Sequence, residues 1–213
     1  MIRAIRNAAL ALIIVVSPTF AENLTLVALG DSLTQGYGLP QADGFVPQLQ
    51  TWLTANGADV TVINAGVSGD TTAGGLSRLD WTLTPEVDAM IVNLGGNDLL
   101  RGIDPAASRA NLEAILQAAE ARNLPVMLVG LRAPGNYGPD FKAAFDAMYP
   151  ELAAQYGAIP TENFFIPLID QSTKRLATDY MQSDGIHPNA KGVNLLVESL
   201  GPKVLELLAK VGA

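Results

Sequence analysis

Leu24-Thr25-Leu26-Val27-Ala28-Leu29-Gly30-Asp31-Ser32-Leu33-Thr34-Gln35-Gly36 decides how the rest of the chain is read. A short apolar run rich in β-formers stops at a glycine, and an acid, a serine and a second glycine follow. An apolar run of this length, bounded by glycine, reads as a strand buried on both faces, as in a parallel sheet. Gly30 permits a sharp turn off the strand end, where α/β proteins place their ligands. Ser32 then stands at the mouth of a crevice, its backbone N–H near the start of the next helix. Taken alone, Asp31 and Ser32 read as helix-capping residues, both types being common there. Partners further along the chain turn the reading toward chemistry.

Outward from this stretch, strands and helices alternate. Asp43 to Asn56 reads as a helix with Phe45, Leu49, Trp52 and Leu53 on one face, stopped by Asn56-Gly57. Asp59 to Asn64 is a second strand, followed by the small-residue loop Ala65 to Asp70; Thr71 or Thr72 opens a helix that runs through Leu76 and Leu79 towards Trp81. Ala89 to Leu94 is a third strand ending in Gly95-Gly96-Asn97-Asp98, and Pro105 and Asn123 bracket a helix over Ala106 to Arg122. Val126 to Leu131 is a fourth strand, Arg132 to Pro139 a Gly/Pro-rich loop, and Phe141 to Tyr156 a helix kinked at Pro150. A weaker fifth strand begins at Ala158-Ile159-Pro160, and Ala190 to Lys210 is a closing helix that Gly201-Pro202 bends or breaks. Alternation of this kind implies right-handed βαβ crossovers and a parallel sheet covered on both faces. The loops holding Ser32, Gly66 and Asn97 therefore leave the same edge of the sheet.

The 213 residues, 49% of them hydrophobic, suffice for one domain with a full core, read as residues 22–213. Residues 1–21 read differently: Arg3 and Arg6 precede the apolar run Ala8 to Val16, and Thr19-Phe20-Ala21 offers a small-residue cleavage site. This is a secretory signal peptide cut after Ala21, too short to span a bilayer stably. The expected destination is the periplasm or the exterior, with no stable membrane insertion. Removing the leader takes away two arginines and no acid, leaving 11 basic against 21 acidic residues, a formal charge of −10. That balance excludes a phosphate-backbone footprint, so nucleic acid is not an expected partner. With no cysteine, a thiol nucleophile and thiolate metal sites are excluded, and nothing in the sequence demands more than a monomer.

His187 is the only histidine, and it lies in the turn Ser183-Asp184-Gly185-Ile186-His187-Pro188-Asn189. An acid three positions earlier in a tight turn can fold back onto Nδ1 of the imidazole, fixing the tautomer and leaving Nε2 free to take a proton. A serine hydroxyl is a weak nucleophile until such a base removes its proton. Attack on an ester or thioester carbonyl also builds an oxyanion, and losing one donor aimed at it costs ~10²–10³ in turnover. Candidate donors are the N–H of Ser32, the N–H of Gly66 and the side-chain amide of Asn97. Singly, Gly66 reads as a turn glycine and Asn97 as an Asx-turn residue; at one sheet edge together they do not.

Gly30-Asp31-Ser32-Leu33, the Gly66 loop, Gly96-Asn97-Asp98 and Asp184-x-x-His187 match, in order and spacing, the four blocks of the GDSL esterase/lipase family of SGNH hydrolases. The resemblance spans roughly Leu26 to Leu208. The wording of Asn64 to Thr71, Leu94 to Asp98 and Asn136-Tyr137-Gly138 is most similar to the bacterial exported acyl-CoA thioesterase/arylesterase/lysophospholipase group. This resemblance implies a three-layer flavodoxin-like α/β fold, with a five-stranded parallel sheet flanked by helices. It also implies Ser32 as nucleophile, His187 as base, Asp184 as its orienter, the three donors above, and no cofactor or metal. Leu99 departs from the glycine common after the Gly-Gly-Asn-Asp block, and Ala133 replaces a larger apolar residue, so acyl-length preference is open.

The leading expectation is a serine hydrolase of acyl esters and thioesters, with Leu99, Leu100, Ile103, Pro134 and Tyr137 lining the acyl groove. A carbohydrate O-acetylesterase of the same fold ranks lower, since aromatics make up only 6% of the chain and offer little sugar-stacking surface. A binding module, or a metal phosphoesterase using Asp31, Asp98, Asp184 and His187, ranks lower still, because one histidine and scattered acids make a poor metal set. Gly30-Asp31-Ser32-Leu33-Thr34 also lacks the second glycine of a Gly-x-Ser-x-Gly elbow.

Overall fold

The structure is a computed structural model and describes residues 23–212. The leader expected over residues 1–21 lies outside the described residues. Five strands form one sheet: β1 (Leu24–Gly30), β2 (Val60–Gly66), β3 (Ala89–Asn93), β4 (Val126–Leu128) and β5 (Ile159–Pro160). Their order is β2-β1-β3-β4-β5, and every pairing is parallel. β1 and β3 occupy the centre, and Leu26 to Leu29 and Ala89 to Val92 are almost wholly buried. Each large aliphatic side chain among them contributes about 1.5–3 kcal/mol by leaving water.

Among the described residues eight α-helices connect and cover the strands: α1 (Ser32–Gln35), α2 (Phe45–Ala55), α3 (Thr72–Ser77), α4 (Leu79–Thr82), α5 (Gly96–Leu100), α6 (Pro105–Glu120), α7 (Pro139–Gln155) and α8 (Ala190–Leu208). The α2 helix packs on α8, while α6 packs on both α3 and α7, so the sheet is a middle layer. This is the three-layer α/β arrangement expected from the sequence, a five-stranded parallel sheet flanked by helices.

The outer strand β2 is shielded by a side chain. The amide of Gln50 donates to Val60 O at 2.8 Å and accepts the N–H of Val62 at 2.8 Å, occupying ladder positions an added strand would need.

Two local expectations give way. The helix expected from Thr72 to Trp81 is two, α3 and α4, separated at Arg78, whose backbone (φ −111°, ψ 9°) leaves the helical region. Gly201-Pro202 does not break α8, and α7 runs through Pro150, as the sequence allowed. Both prolines are exposed, so their rings meet solvent rather than the core. The fourth strand is shorter than Val126 to Leu131, although Val129 N–H still bonds Val92 O at 2.9 Å.

Candidate active site

Register places the site. Gly30 stands opposite both Gly66 and Asn93, so β1, β2 and β3 end level and their following loops share one edge. Asp31 caps α1 by accepting the N–H of Leu33 at 3.0 Å, and Ser32 is the first residue of that helix. Capping, the plain reading of Asp31, is thus what its Oδ1 does. Its position beneath Ser32 is a further consequence. Asp31 is 2% exposed, and burial pushes its carboxyl up to about 6 against the hydrogen bonds from Leu33 and Asn97.

The Asp184–His187 turn closes over Ser32. Asp184 Oδ1 accepts the N–H groups of Ile186 (2.9 Å) and His187 (3.0 Å), and Oδ2 lies 2.6 Å from His187 Nδ1. These bonds, led by the His187 N–H, hold the Asp184 carboxyl down at about 2. On the far side of the ring, His187 Nε2 lies 2.8 Å from Ser32 Oγ. Gln182 braces the turn: its N–H bonds His187 O at 2.8 Å, and its side-chain amide donates to Tyr37 O and Pro188 O. The Tyr37 ring lies 4.8 Å from the imidazole and covers one face of it.

The structure does not bring Gly66 to the crevice. Its N–H donates to Asn64 Oδ1 at 2.9 Å, and a Cβ there would stand 2.3 Å from the backbone nitrogen of Gln35. Gly66 is therefore a packing glycine that lets α1 approach β2. The residue of this loop that reaches the crevice is Gly69, at φ +86°. Among the described residues neither the N–H of Ser32 nor that of Gly69 has a hydrogen-bond acceptor. Asn97 also lines the crevice, its Nδ2 lying 3.0 Å from Asp70 O and 3.3 Å from Asp31 Oδ2. The second contact is at the long limit of a hydrogen bond, so one proton of this amide is loosely held.

The crevice holds about 480 Å³ and is walled mainly by apolar side chains. Of the five residues expected at the acyl groove, Leu99, Leu100 and Pro134 line this crevice and Ile103 and Tyr137 do not. Tyr137 packs from outside: its ring lies 4.8 Å from that of Phe141, and its hydroxyl donates to Leu100 O at 3.3 Å. Leu33, Tyr37, Leu131, Phe165, Leu176 and Ile186 supply wall that the sequence reading missed. Tyr37, between two glycines just after the Ser32 turn, carried a signal, an exposed aromatic beside the candidate nucleophile. Phe165 and Leu176 lie in irregular chain with no periodicity to betray a face.

The four metal-site candidates do not converge. Asp98 is 1% exposed and spends both oxygens on Thr72 N–H (2.8 Å), Thr72 Oγ1 (2.6 Å) and Ser108 Oγ (2.9 Å), joining α5 to α3 and α6. Among the described residues no group of three His, Cys, Asp or Glu side chains is arranged to hold a metal ion.

The fold and this edge-on arrangement define a class: an α/β protein with a serine–imidazole–carboxylate chain of hydrogen bonds at the carboxyl ends of parallel strands, open to an apolar crevice. The chain belongs to the GDSL-like lipase/acylhydrolase family, whose model matches residues 28–195. It is 38% identical over 200 residues to the protein named esterase TesA of Pseudomonas aeruginosa, covering 93% of this chain and 96% of that one. It is also 38% identical over 167 residues to thioesterase 1/protease 1/lysophospholipase L1 of Escherichia coli K12, covering 78% of this chain and 76% of that one. Among solved structures, the SGNH-hydrolase family esterase AlinE4 is 41% identical and superposes with a TM-score of 0.72, covering 87% of this chain and 97% of that one.

Proposed function

We propose that the chain hydrolyses acyl esters and thioesters through an acyl-enzyme on Ser32. His187 Nε2 takes the Ser32 proton as Oγ attacks the carbonyl carbon, and Asp184 holds the imidazole by Nδ1 as it becomes cationic. The carbonyl oxygen becomes an oxyanion among the N–H of Ser32, the N–H of Gly69 and the loosely held proton of Asn97 Nδ2. His187 returns its proton to the leaving alcohol or thiol. A water deprotonated by His187 then attacks the acyl carbon, and the acid departs with Ser32 regenerated.

One observation carries this reading: the unbroken relay from Asp184 Oδ2 to His187 Nδ1 at 2.6 Å and from His187 Nε2 to Ser32 Oγ at 2.8 Å. The relatives named as esterase, thioesterase and lysophospholipase support the substrate class. The crevice's apolar walls suit an acyl chain better than an acetylated sugar, so medium-chain p-nitrophenyl esters should outpace acetylated xylan or chitin fragments. The small acyl substrate is the partner proposed, with the protein acting as an exported monomer cut after Ala21. Mass spectrometry of the exported N-terminus checks that cut. The decisive experiment pairs Ser32→Ala with fluorophosphonate labelling: the wild type should be labelled at Ser32 and inactivated, and the variant should keep its fold without turnover. Turnover retained in Ser32→Ala would end the proposal.

A further inference from the structure

The three donors assigned to the oxyanion come from three segments, and one ion pair touches all of them. Asp70 directly follows Gly69, and its backbone carbonyl accepts Nδ2–H of Asn97 at 3.0 Å. Its N–H donates to Val67 O at 3.0 Å, closing the turn that contains Gly69. Its carboxylate accepts Nε–H of Arg78 at 2.7 Å. The same guanidinium donates through Nη2 to Gly30 O at 2.9 Å, and Gly30 ends β1 two positions before Ser32. Arg78 is also the residue at which α3 stops and α4 starts.

Neither side chain lines the crevice. The Arg78 and Asp70 side chains are 22% and 18% exposed, so water competes weakly for these bonds. An ion pair of this kind contributes little to stability when it stands in water; here its geometry matters more. A planar guanidinium presents two donors at a fixed angle, which an ammonium cannot do.

We propose that the Asp70–Arg78 pair is a positioning clamp for the oxyanion donors. It ties the end of β1, the Gly69 turn and the Asn97 amide into one rigid set without touching substrate. The clamp rests on the ester-hydrolase reading above. The pair acts only on the relative placement of the donors, so losing it weakens the hold on the tetrahedral state more than the hold on substrate.

The test uses the purified full chain with Arg78→Lys and Asp70→Asn, which keep volume while removing the fork or the charge. Each should lower kcat for p-nitrophenyl butyrate roughly 10- to 100-fold, part of the ~10²–10³ lost when a whole donor is removed. KM should stay within about twofold, and affinity for an alkyl boronic acid that forms a tetrahedral serine adduct should fall by the same factor as kcat/KM. The acid limb of the pH–rate profile should not move, and the double variant should be no worse than the poorer single one. Wild-type kcat/KM in both variants, or a loss confined to KM with boronate affinity unchanged, overturns the clamp. Should Arg78→Lys not fold, Asp70→Asn decides alone. Ser32→Ala separates the two failures: a dead Ser32→Ala beside undiminished Arg78→Lys and Asp70→Asn sinks the clamp only.

Discussion

Asp184 holds His187 twice, by the imidazole Nδ1 at 2.6 Å and by the backbone N–H at 3.0 Å. The acid thereby sets both where the ring stands and which nitrogen carries its proton. Asp184→Asn keeps the shape of the turn but removes the charge that stabilises the imidazolium. The expected result is a fall in kcat of about 10²–10⁴-fold with KM little changed, measured with a p-nitrophenyl ester. Because the Asp184 carboxyl is held at about 2, it stays ionised as pH falls through the weakly acidic range. Loss of wild-type activity there should therefore trace to a group other than Asp184, which a pH–rate profile of the wild type measures.

Gly66 and Gly69 separate packing from chemistry. Adding Cβ at Gly66 drives it into the backbone of Gln35, so Gly66→Ala should lower the melting temperature by several degrees and activity only in proportion to folded protein. Gly69→Ala has room, its nearest neighbour being Arg101 Nη2 at 3.7 Å, but must hold φ near +86°. That strain of roughly 1–2 kcal/mol is relieved by turning the peptide that bears the proposed donor. Thermal melts and kcat on the two variants should rank in opposite orders.

Burial raises the Asp31 carboxyl to about 6 from 3.8. A folded-state value above the unfolded one means the native protein binds this proton more readily between about pH 4 and 6, so stability falls as pH rises through that window. Above it the ionised, buried group weighs fully against folding. Asp31→Asn should therefore melt higher than wild type at pH 7 and show no such advantage at pH 4. Its kcat should drop, because Oδ2 no longer faces the Asn97 amide as an acceptor. Scanning calorimetry across this range, beside ester turnover, measures both.

Crevice length predicts acyl preference. Each methylene buried against Leu33, Leu131, Phe165 or Leu176 is worth about 0.8 kcal/mol, so kcat/KM should climb roughly fourfold per carbon until the crevice is full. Leu99→Ala enlarges the wall and should move that plateau to longer chains, whereas Leu99→Phe should bring it shorter. A panel of p-nitrophenyl esters and matching CoA thioesters reads this directly.

The sequence determined what short-range covalent geometry and periodicity control. Alternating apolar runs and helical faces fixed a parallel sheet, hence a shared edge for the loops after β1, β2 and β3. The three-residue interval between Asp184 and His187 dictated that the carboxylate could fold back on the imidazole. Tertiary structure decided what depends on where the chain leaves a ladder and what lands beside it. Gly66 is still in register with Gly30, its N–H is bound to the Asn64 side chain, and Gly69 lies three residues beyond. Phe165 and Leu176 reach the crevice from irregular chain, and the guanidinium of Arg78 reaches Gly30 O across 48 positions of sequence. Such placements come from packing of distant segments, in which no residue's neighbours are written by its own local pattern.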